Sequence, residues 1–193
     1  MAGWLATVRR PLVATHLHPD GDAFGSVFAL YNLLRDNGLD ASYWLPEAPP
    51  PRYGRPLGGT PFPAAMPSRA AGPPDAVIAL DCARADRLQL PPGTRVAGLP
   101  WPLANLDHHQ DNPGYGAVNL VAADACATAE LLFRLALALH WRIPPVAATA
   151  LLIGVVADTG AFRFSNTTPA TLRLAADLRD HGADYPAVMD SLF

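Results

Sequence analysis

The chain has 193 residues, half of them apolar and 16% charged, with a net charge of -3. That length and apolar content suit one well-filled globular core and exclude a disordered polymer. The charge excludes a global basic field for long duplex nucleic acid, so a nucleic-acid substrate is expected to be short and held locally.

In chain order, the first ten residues carry their charges after the apolar ones and lack the basic start, long apolar centre and cleavage site of a secretory leader. No later stretch approaches the ~18 uninterrupted apolar residues of a membrane span. A cytoplasmic protein without membrane contacts is expected. Leu12-Val13-Ala14-Thr15 reads as a short buried strand. A helix follows from about Phe24 to Asn37, stopped by Gly38. Ala41 to Leu45 is a second strand. Pro46 to Pro74 is too rich in proline and glycine for a regular helix or a central strand, and reads as a connection.

Ala76 to Leu80 is an unbroken apolar run, as in a parallel strand covered on both faces. Val96–Leu99 and Leu103–Leu106 read as further strands. Ala125 to His140 is helical, and another helix opens near Pro144 or Pro145. Phe162-Arg163-Phe164 alternates like a strand end. Thr168-Pro169 opens a helix to about His181, with Gly182 as its stop, and the chain ends in a helical stretch. Alternating strands and helices predict a three-layer α/β domain with a mostly parallel central sheet, spanning residues 1–193. Cys82 and Cys126, flanked by apolar or small residues and without a CxxC pair, are expected to be buried, reduced thiols.

Ligands of such sheets bind outside the carboxyl ends of the strands. The residues that follow the apolar runs are chemically distinctive. His16, Asp20 and Asp22 lie on the first strand-to-helix loop, with Gly21 expected to let the backbone turn so that both carboxylates face one centre. Ser26, at the predicted helix start where free N–H groups favour anions, is a substrate-binding candidate. Asp81 directly follows five apolar residues, where a carboxylate is costly unless solvated, paired or metal-bound. In the bound reading it bridges two metals, with one oxygen for each. Asp107-His108-His109 is the sharpest signal: one imidazole can ligate metal while the other faces substrate. Asp158 ends an apolar helical stretch, and Arg163 is close enough in sequence to meet a phosphate. His18 reads as a surface or supporting residue, and His140 carries no assignment. Four carboxylates converging on one pocket repel each other, and divalent cations turn that repulsion into catalysis. Mixed oxygen and nitrogen ligands without thiolate suit two Mn²⁺ ions, with Co²⁺, Fe²⁺ or Mg²⁺ as other occupants.

At these motifs the sequence resembles the DHH phosphoesterase superfamily, and is similar to its N-terminal catalytic domain nearly from end to end. His16 to Ser26 looks like the first motif, Leu80-Asp81 the second, Asp107-His108-His109 the third and Asp158 the fourth. Asp158 to Pro169 is similar to the nanoRNase subgroup, the bifunctional oligoribonucleases and 3'-phosphoadenosine-5'-phosphate phosphatases. The resemblance implies one metal held by His16, Asp20 and Asp81, and a second held by Asp22, Asp81, His108 and Asp158. It implies that His109 contacts the scissile phosphate while Asp107 orients the histidines. Family members usually continue into a smaller substrate-binding domain, which nothing in this sequence resembles, so a truncated catalytic domain is expected.

The expected function is therefore hydrolysis of very short single-stranded RNA to nucleoside monophosphates, with action on 3'-phosphoadenosine 5'-phosphate. A cyclic dinucleotide phosphodiesterase is the alternative within the same chemistry. A noncatalytic metal-binding interaction module is the alternative outside it, disfavoured because a decayed site should lose its costly charged ligands. Oligomeric state, substrate length preference and metal identity are not legible in the sequence.

Overall fold

A computed structural model describes residues 1–58, 63–66 and 72–192. A short helix α1 (Ala2–Leu5) precedes β1 (Pro11–Ala14), α2 (Gly21–Asp36) and β2 (Ser42–Trp44). A single helical turn α3 (Pro51–Gly54), a 3-10 turn (Arg55–Leu57) and a two-residue strand β3 (Ala65–Met66) follow. Next come β4 (Ala76–Leu80), β5 (Leu103–Asp107) and β6 (Val118–Val121). Four helices close the chain: α4 (Thr128–Ala138), α5 (Pro145–Asp158), α6 (Pro169–Asp180) and α7 (Tyr185–Leu192).

The six strands form one sheet in the order β3-β2-β1-β4-β5-β6. All neighbours are parallel except β3, which runs antiparallel to β2 at the edge. The fold is thus the expected α/β domain with a mostly parallel sheet. Ala14 pairs with Ala79, and Ala79 with Asn105, so the chain leaves β1, β4 and β5 along one edge of the sheet. The functional loops start there.

Alternation along the three central strands splits the core in two. Val13, Ile78, Leu80, Ala104 and Leu106 face the helices. Leu12, Ala14, Val77, Ala79 and Leu103 face a layer built from irregular chain, with Leu88, Val96, Leu99 and Trp101 in it. On the helical side, α2 and α4 lie against the sheet while α5 packs on α2, α4, α6 and α7. Helix α5 therefore reads as apolar all round, with every residue from Ala147 to Val156 buried.

Three local expectations change. Val96–Leu99 is a turn closed by Leu99 N–H on Val96 O, not a strand: prolines flank the segment and Gly98 takes a left-handed φ of 81°. Phe162-Arg163-Phe164 is not a strand end, because Gly160, Ala161 and Phe162 are all left-handed. The N–H groups of Arg163 and Phe164 bond to Thr159 O instead of a ladder. Within the proline-rich stretch, α3 and β3 form despite the composition, β3 at the sheet edge where such sequences are tolerated. Residues 59–62 and 67–71 of that stretch lie outside the described residues. Gly38 and Gly182 do stop α2 and α6 in left-handed geometry. Leu39 N–H returns to Leu34 O and Ala183 N–H to Leu178 O. Both cysteines are buried and unpaired. Among the described residues, no helix is long and apolar enough to cross a membrane.

Candidate metal centre

His16 stands just past β1, with Nδ1 2.8 Å from Leu17 O. A ring nitrogen facing a carbonyl must carry the proton, so Nε2 keeps its lone pair. That atom lies 3.8 Å from Asp81 Oδ2. Asp20 is the N-cap of α2: its Oδ1 accepts the N–H groups of Asp22 and Ala23, both at 3.0 Å. This cap starts the helix at Gly21, earlier than the apolar pattern suggests. Gly21 is accordingly a helical residue and not the expected turn: a Cβ there would collide with the Cβ of Ala157 on α5.

Asp22 consequently points into the protein and is fully buried. Its partners come from far along the chain. Thr128 N–H donates to Oδ2 at 2.6 Å and Ala129 N–H to Oδ1 at 3.1 Å. The first turn of α4 is thus capped by a carboxylate from another helix, which explains why Ala127 offers no capping side chain. Ser26, one turn on from Asp22, is fully buried and donates its hydroxyl to Asp22 Oδ1 at 3.1 Å. It braces a carboxylate and does not face substrate, contrary to expectation. The crossing of α2 and α5 allows no side chain: a Cβ on Gly25 would meet Ala150 O at 2.6 Å, and one on Gly154 would meet Asp22 Oδ1 at 2.5 Å. That close approach brings Asp158, the last residue of α5, beside Asp22.

Asp81 follows β4 in the left-handed region at φ 51°, which aspartate tolerates better than most residues. Its N–H bonds to Leu106 O, and Oδ1 accepts Thr128 Oγ1 at 3.0 Å. Burial, and then the neighbouring Asp22, Asp20, Asp107 and Asp158, push its carboxyl well above the usual range. Asp22 is pushed up to about 7 by burial and by Asp158. Burial also raises Asp158.

Asp107 closes β5, fully buried. Its Oδ1 accepts the N–H of His108 at 2.9 Å and Nδ1–H of His109 at 2.7 Å, while Oδ2 accepts Asn112 Nδ2 at 2.5 Å. Burial pushes this carboxyl up, but the bonds from His109 and Asn112 outweigh it and hold it below the usual range. The bond to Asp107 in turn raises His109. His108 has Nδ1 3.3 Å from Ala125 O, leaving Nε2 3.3 Å from Asp158, 3.7 Å from Asp81 and 4.0 Å from Asp22.

Among the described residues, three groups of donor atoms, each within 4.8 Å of one another, emerge: His16, Asp20 and Asp81; Asp22, His108 and Asp158; and Asp81, His108 and His109. The first two suit a cation each; Asp81 belongs to the first, and its Oδ1 lies 3.7 Å from Nε2 of His108 in the second. Their nitrogen-to-oxygen separations of 3.3 to 4.0 Å are long for strong hydrogen bonds but suited to atoms sharing one ion at ~2.1 Å each. In the third group the nitrogen of His109 near Asp81 is Nδ1, which already bonds to Asp107. Asp107 belongs to no group. Arg163 is exposed in the turn after α5, with Nε donating to Gly160 O at 2.6 Å. His18 is exposed beside Glu47.

Sequence reasoning missed Thr128, Asn112 and Asn166. Asn166 ties the carbonyl of Asp158 to that of Cys126, at 3.2 and 3.1 Å. An Asp22–Ser26 pair one turn apart on an inward helix face was the available signal for the brace.

The raised carboxyls predict a pH dependence. With a folded-state pKa of about 7 for Asp22 against an ordinary 3.8, native protein holds a proton that the unfolded chain releases between those values. Stability of metal-stripped protein therefore falls as pH rises from about 4 to about 7, on the order of 4 kcal/mol from this residue. A cation displaces that proton, so it binds more tightly as pH rises. Melting in chelator should occur at lower temperature at pH 8 than at pH 5, and added Mn²⁺ should raise it more at pH 8. Equal metal-induced shifts at both pH values would contradict the charge cluster.

Residues 10–155 match the model of the DHH family, N-terminal domain. The chain is 38% identical over 191 residues to the bifunctional oligoribonuclease and PAP phosphatase NrnA of Thermus thermophilus, covering 97% of this chain and 55% of that protein. It is 28% identical over 189 residues to the protein of the same name from Bacillus subtilis, covering 92% of this chain and 54% of the relative. The chain thus spans about half the length of these curated relatives. Its fold superposes on an exopolyphosphatase-related protein from Bacteroides fragilis with a TM-score of 0.85 at 21% identity, covering 100% of this chain and 58% of that one.

Proposed function

We propose, from the premise that this chain belongs to the DHH family, that it is the catalytic domain of a metal-dependent phosphoesterase. Its substrates in this reading are very short RNA oligonucleotides, cleaved to nucleoside monophosphates, and 3'-phosphoadenosine 5'-phosphate. The observation that carries the reading is the buried Asp81, whose Oδ2 lies 3.8 Å from Nε2 of His16 in one donor group and whose Oδ1 lies 3.7 Å from Nε2 of His108 in the other. His16, Asp20 and Asp81 would hold one divalent cation, and Asp22, Asp81, His108 and Asp158 the other. Oxygen and imidazole donors without thiolate favour Mn²⁺. Bound there, the cations supply a water of lowered pKa and neutralise charge on the phosphoryl oxygens.

The chain's own residues do the rest. Asp81 keeps both of its oxygens on the cluster through Thr128 and the backbone bond to Leu106. His109, with Nδ1 committed to Asp107, lines a cavity of about 280 Å³ together with His16, Asp20 and Asp81. Protonated on both nitrogens, a state the bond to Asp107 favours, it donates there from Nε2 to a phosphate oxygen. The dimensions of that cavity and the net charge of -3 favour a small nucleotide over a long duplex. A cytoplasmic enzyme fits this substrate, and grip on the rest of it belongs, in this reading, to the part of its relatives that the chain does not span. The names of the relatives support the same substrates.

The test is Mn²⁺-dependent turnover of 5'-phosphorylated dinucleotides, 3'-phosphoadenosine 5'-phosphate and a cyclic dinucleotide, side by side. Release of monophosphates from the first two, at high KM, is expected. Preferred hydrolysis of the cyclic compound, or metal binding without any hydrolysis, would overturn the assignment.

A further inference from the structure

Behind the Asp-His-His turn lies a buried polar network on the face of the sheet that carries no helices. Asn105 and Asp107, two apart on β5, share that face with Leu103. Asn112 reaches back from the following loop, with Nδ2 2.5 Å from Asp107 Oδ2 and 2.8 Å from Asn105 Oδ1. Its Oδ1 accepts Gly114 N–H at 2.8 Å. A backbone N–H can only donate and a carboxylate can only accept, so the amide has one permitted orientation. Both of its N–H groups are then used, one on Asp107 and one on Asn105.

Asn105 is itself fully buried and gives Nδ2 to Cys82 O and Tyr115 Oη, each at 3.3 Å. The Tyr115 hydroxyl donates to the same Cys82 carbonyl at 2.9 Å. The network therefore anchors Asn112 to the carbonyl of Cys82, the residue after Asp81. A satisfied buried network of this kind is rigid, and losing one member leaves the others unpaired.

The consequence falls on Asp107. With Oδ2 pinned by Asn112, the carboxylate cannot rotate about its Cβ–Cγ bond, and Oδ1 stays on Nδ1 of His109. An imidazole in water prefers the proton on Nε2. Here it must sit on Nδ1.

We propose that Asn112 is a positioning residue that acts through Asp107 to hold Nδ1–H of His109 on that carboxylate and so fix the orientation of the His109 ring. This rests on the phosphoesterase reading for its kinetic consequence but not for its structural one, so two independent measurements separate them. The first is long-range ¹H–¹⁵N correlation of the histidine rings of the Mg²⁺-loaded chain at about pH 9, above the ordinary histidine range. His109 is assigned by its loss in His109→Gln. Wild type should show His109 protonated at Nδ1. Asn112→Ala, and Asn112→Leu with its closer volume, should shift the proton toward Nε2. Tyr115→Phe, which removes a bond of the same network but leaves Asn112 on Asp107, should leave His109 unchanged.

The second measurement is kinetic. In both Asn112 variants kcat should fall by about 10–100-fold, the usual cost of losing a partner behind a site, with KM and bound metal within about twofold of wild type. An unchanged His109 signature in a folded Asn112 variant overturns the proposal, whatever the activity. So does a Tyr115→Phe shift as large as that of the Asn112 variants, which would mark general loosening. If neither Asn112 variant folds, Asn112→Val, which also removes both donors, takes their place under the same criteria.

Discussion

Asp81→Asn is expected to lower phosphodiester hydrolysis by about 10³-fold or more, a loss of about 4 kcal/mol in transition-state stabilisation, and to release both metals together. Asp81 belongs to the first donor group, and its Oδ1 lies 3.7 Å from Nε2 of His108 in the second, so one substitution weakens both. Asparagine is the informative replacement. It tolerates the left-handed backbone at φ 51° that alanine would strain. It can also accept the Thr128 hydroxyl that bonds to Asp81 Oδ1 at 3.0 Å. Folding is therefore retained, and the metal-stripped variant should be more stable than wild type near pH 8. One buried charge is gone from among Asp22, Asp20, Asp107 and Asp158. Metal content by mass spectrometry, beside kcat/KM on a dinucleotide, checks both statements. Retention of two tightly held Mn²⁺ ions by the variant would defeat the bridging role.

The adjacent histidines should fail in different ways. His108 directs Nε2 at Asp158, Asp81 and Asp22. Its replacement by Ala should empty the second cation position, and excess Mn²⁺ should restore part of the activity. His109 has Nδ1 on Asp107 and a side chain 46% exposed, and in the proposed assignment no cation depends on it. His109→Ala should keep both metals and lose on the order of 10²–10³ in kcat, the usual effect of removing one preorganised donor at developing charge. Added metal should not rescue it. Equal metal loss in the two variants, or rescue of His109→Ala by Mn²⁺, would remove the division of labour between them.

The sheet and the principal donors were legible because each rests on a local pattern. The runs before His16, Asp81 and Asp107 are buried on both faces, and a polar residue just past such a run has to emerge at the strand end. What holds those donors was not legible, since it acts over long separations. Thr128 meets Asp22 across 106 positions and Asp81 across 47. Thr128 has no signature of its own beyond a helix start. Gly25 and Gly154 look unremarkable in sequence, yet together they set how closely α2 and α5 cross. The misassignment of Ser26 followed from placing the helix start at Phe24. Once the Asp20 cap moves it to Gly21, Asp22 and Ser26 stand one turn apart on the inward face. The third layer escaped for a different reason. Apolar residues such as Val96 and Leu99 cover the sheet from turns, and burial alone does not distinguish a turn from a strand.

Anomalous diffraction from a crystal of the chain grown with Mn²⁺ tests the central claim most directly. The account predicts two peaks about 3.5–4 Å apart. One should lie against His16 and Asp20, the other against Asp22, His108 and Asp158, with an oxygen of Asp81 on each and His109 on neither. A single peak, or a cation bound through His109, would contradict it.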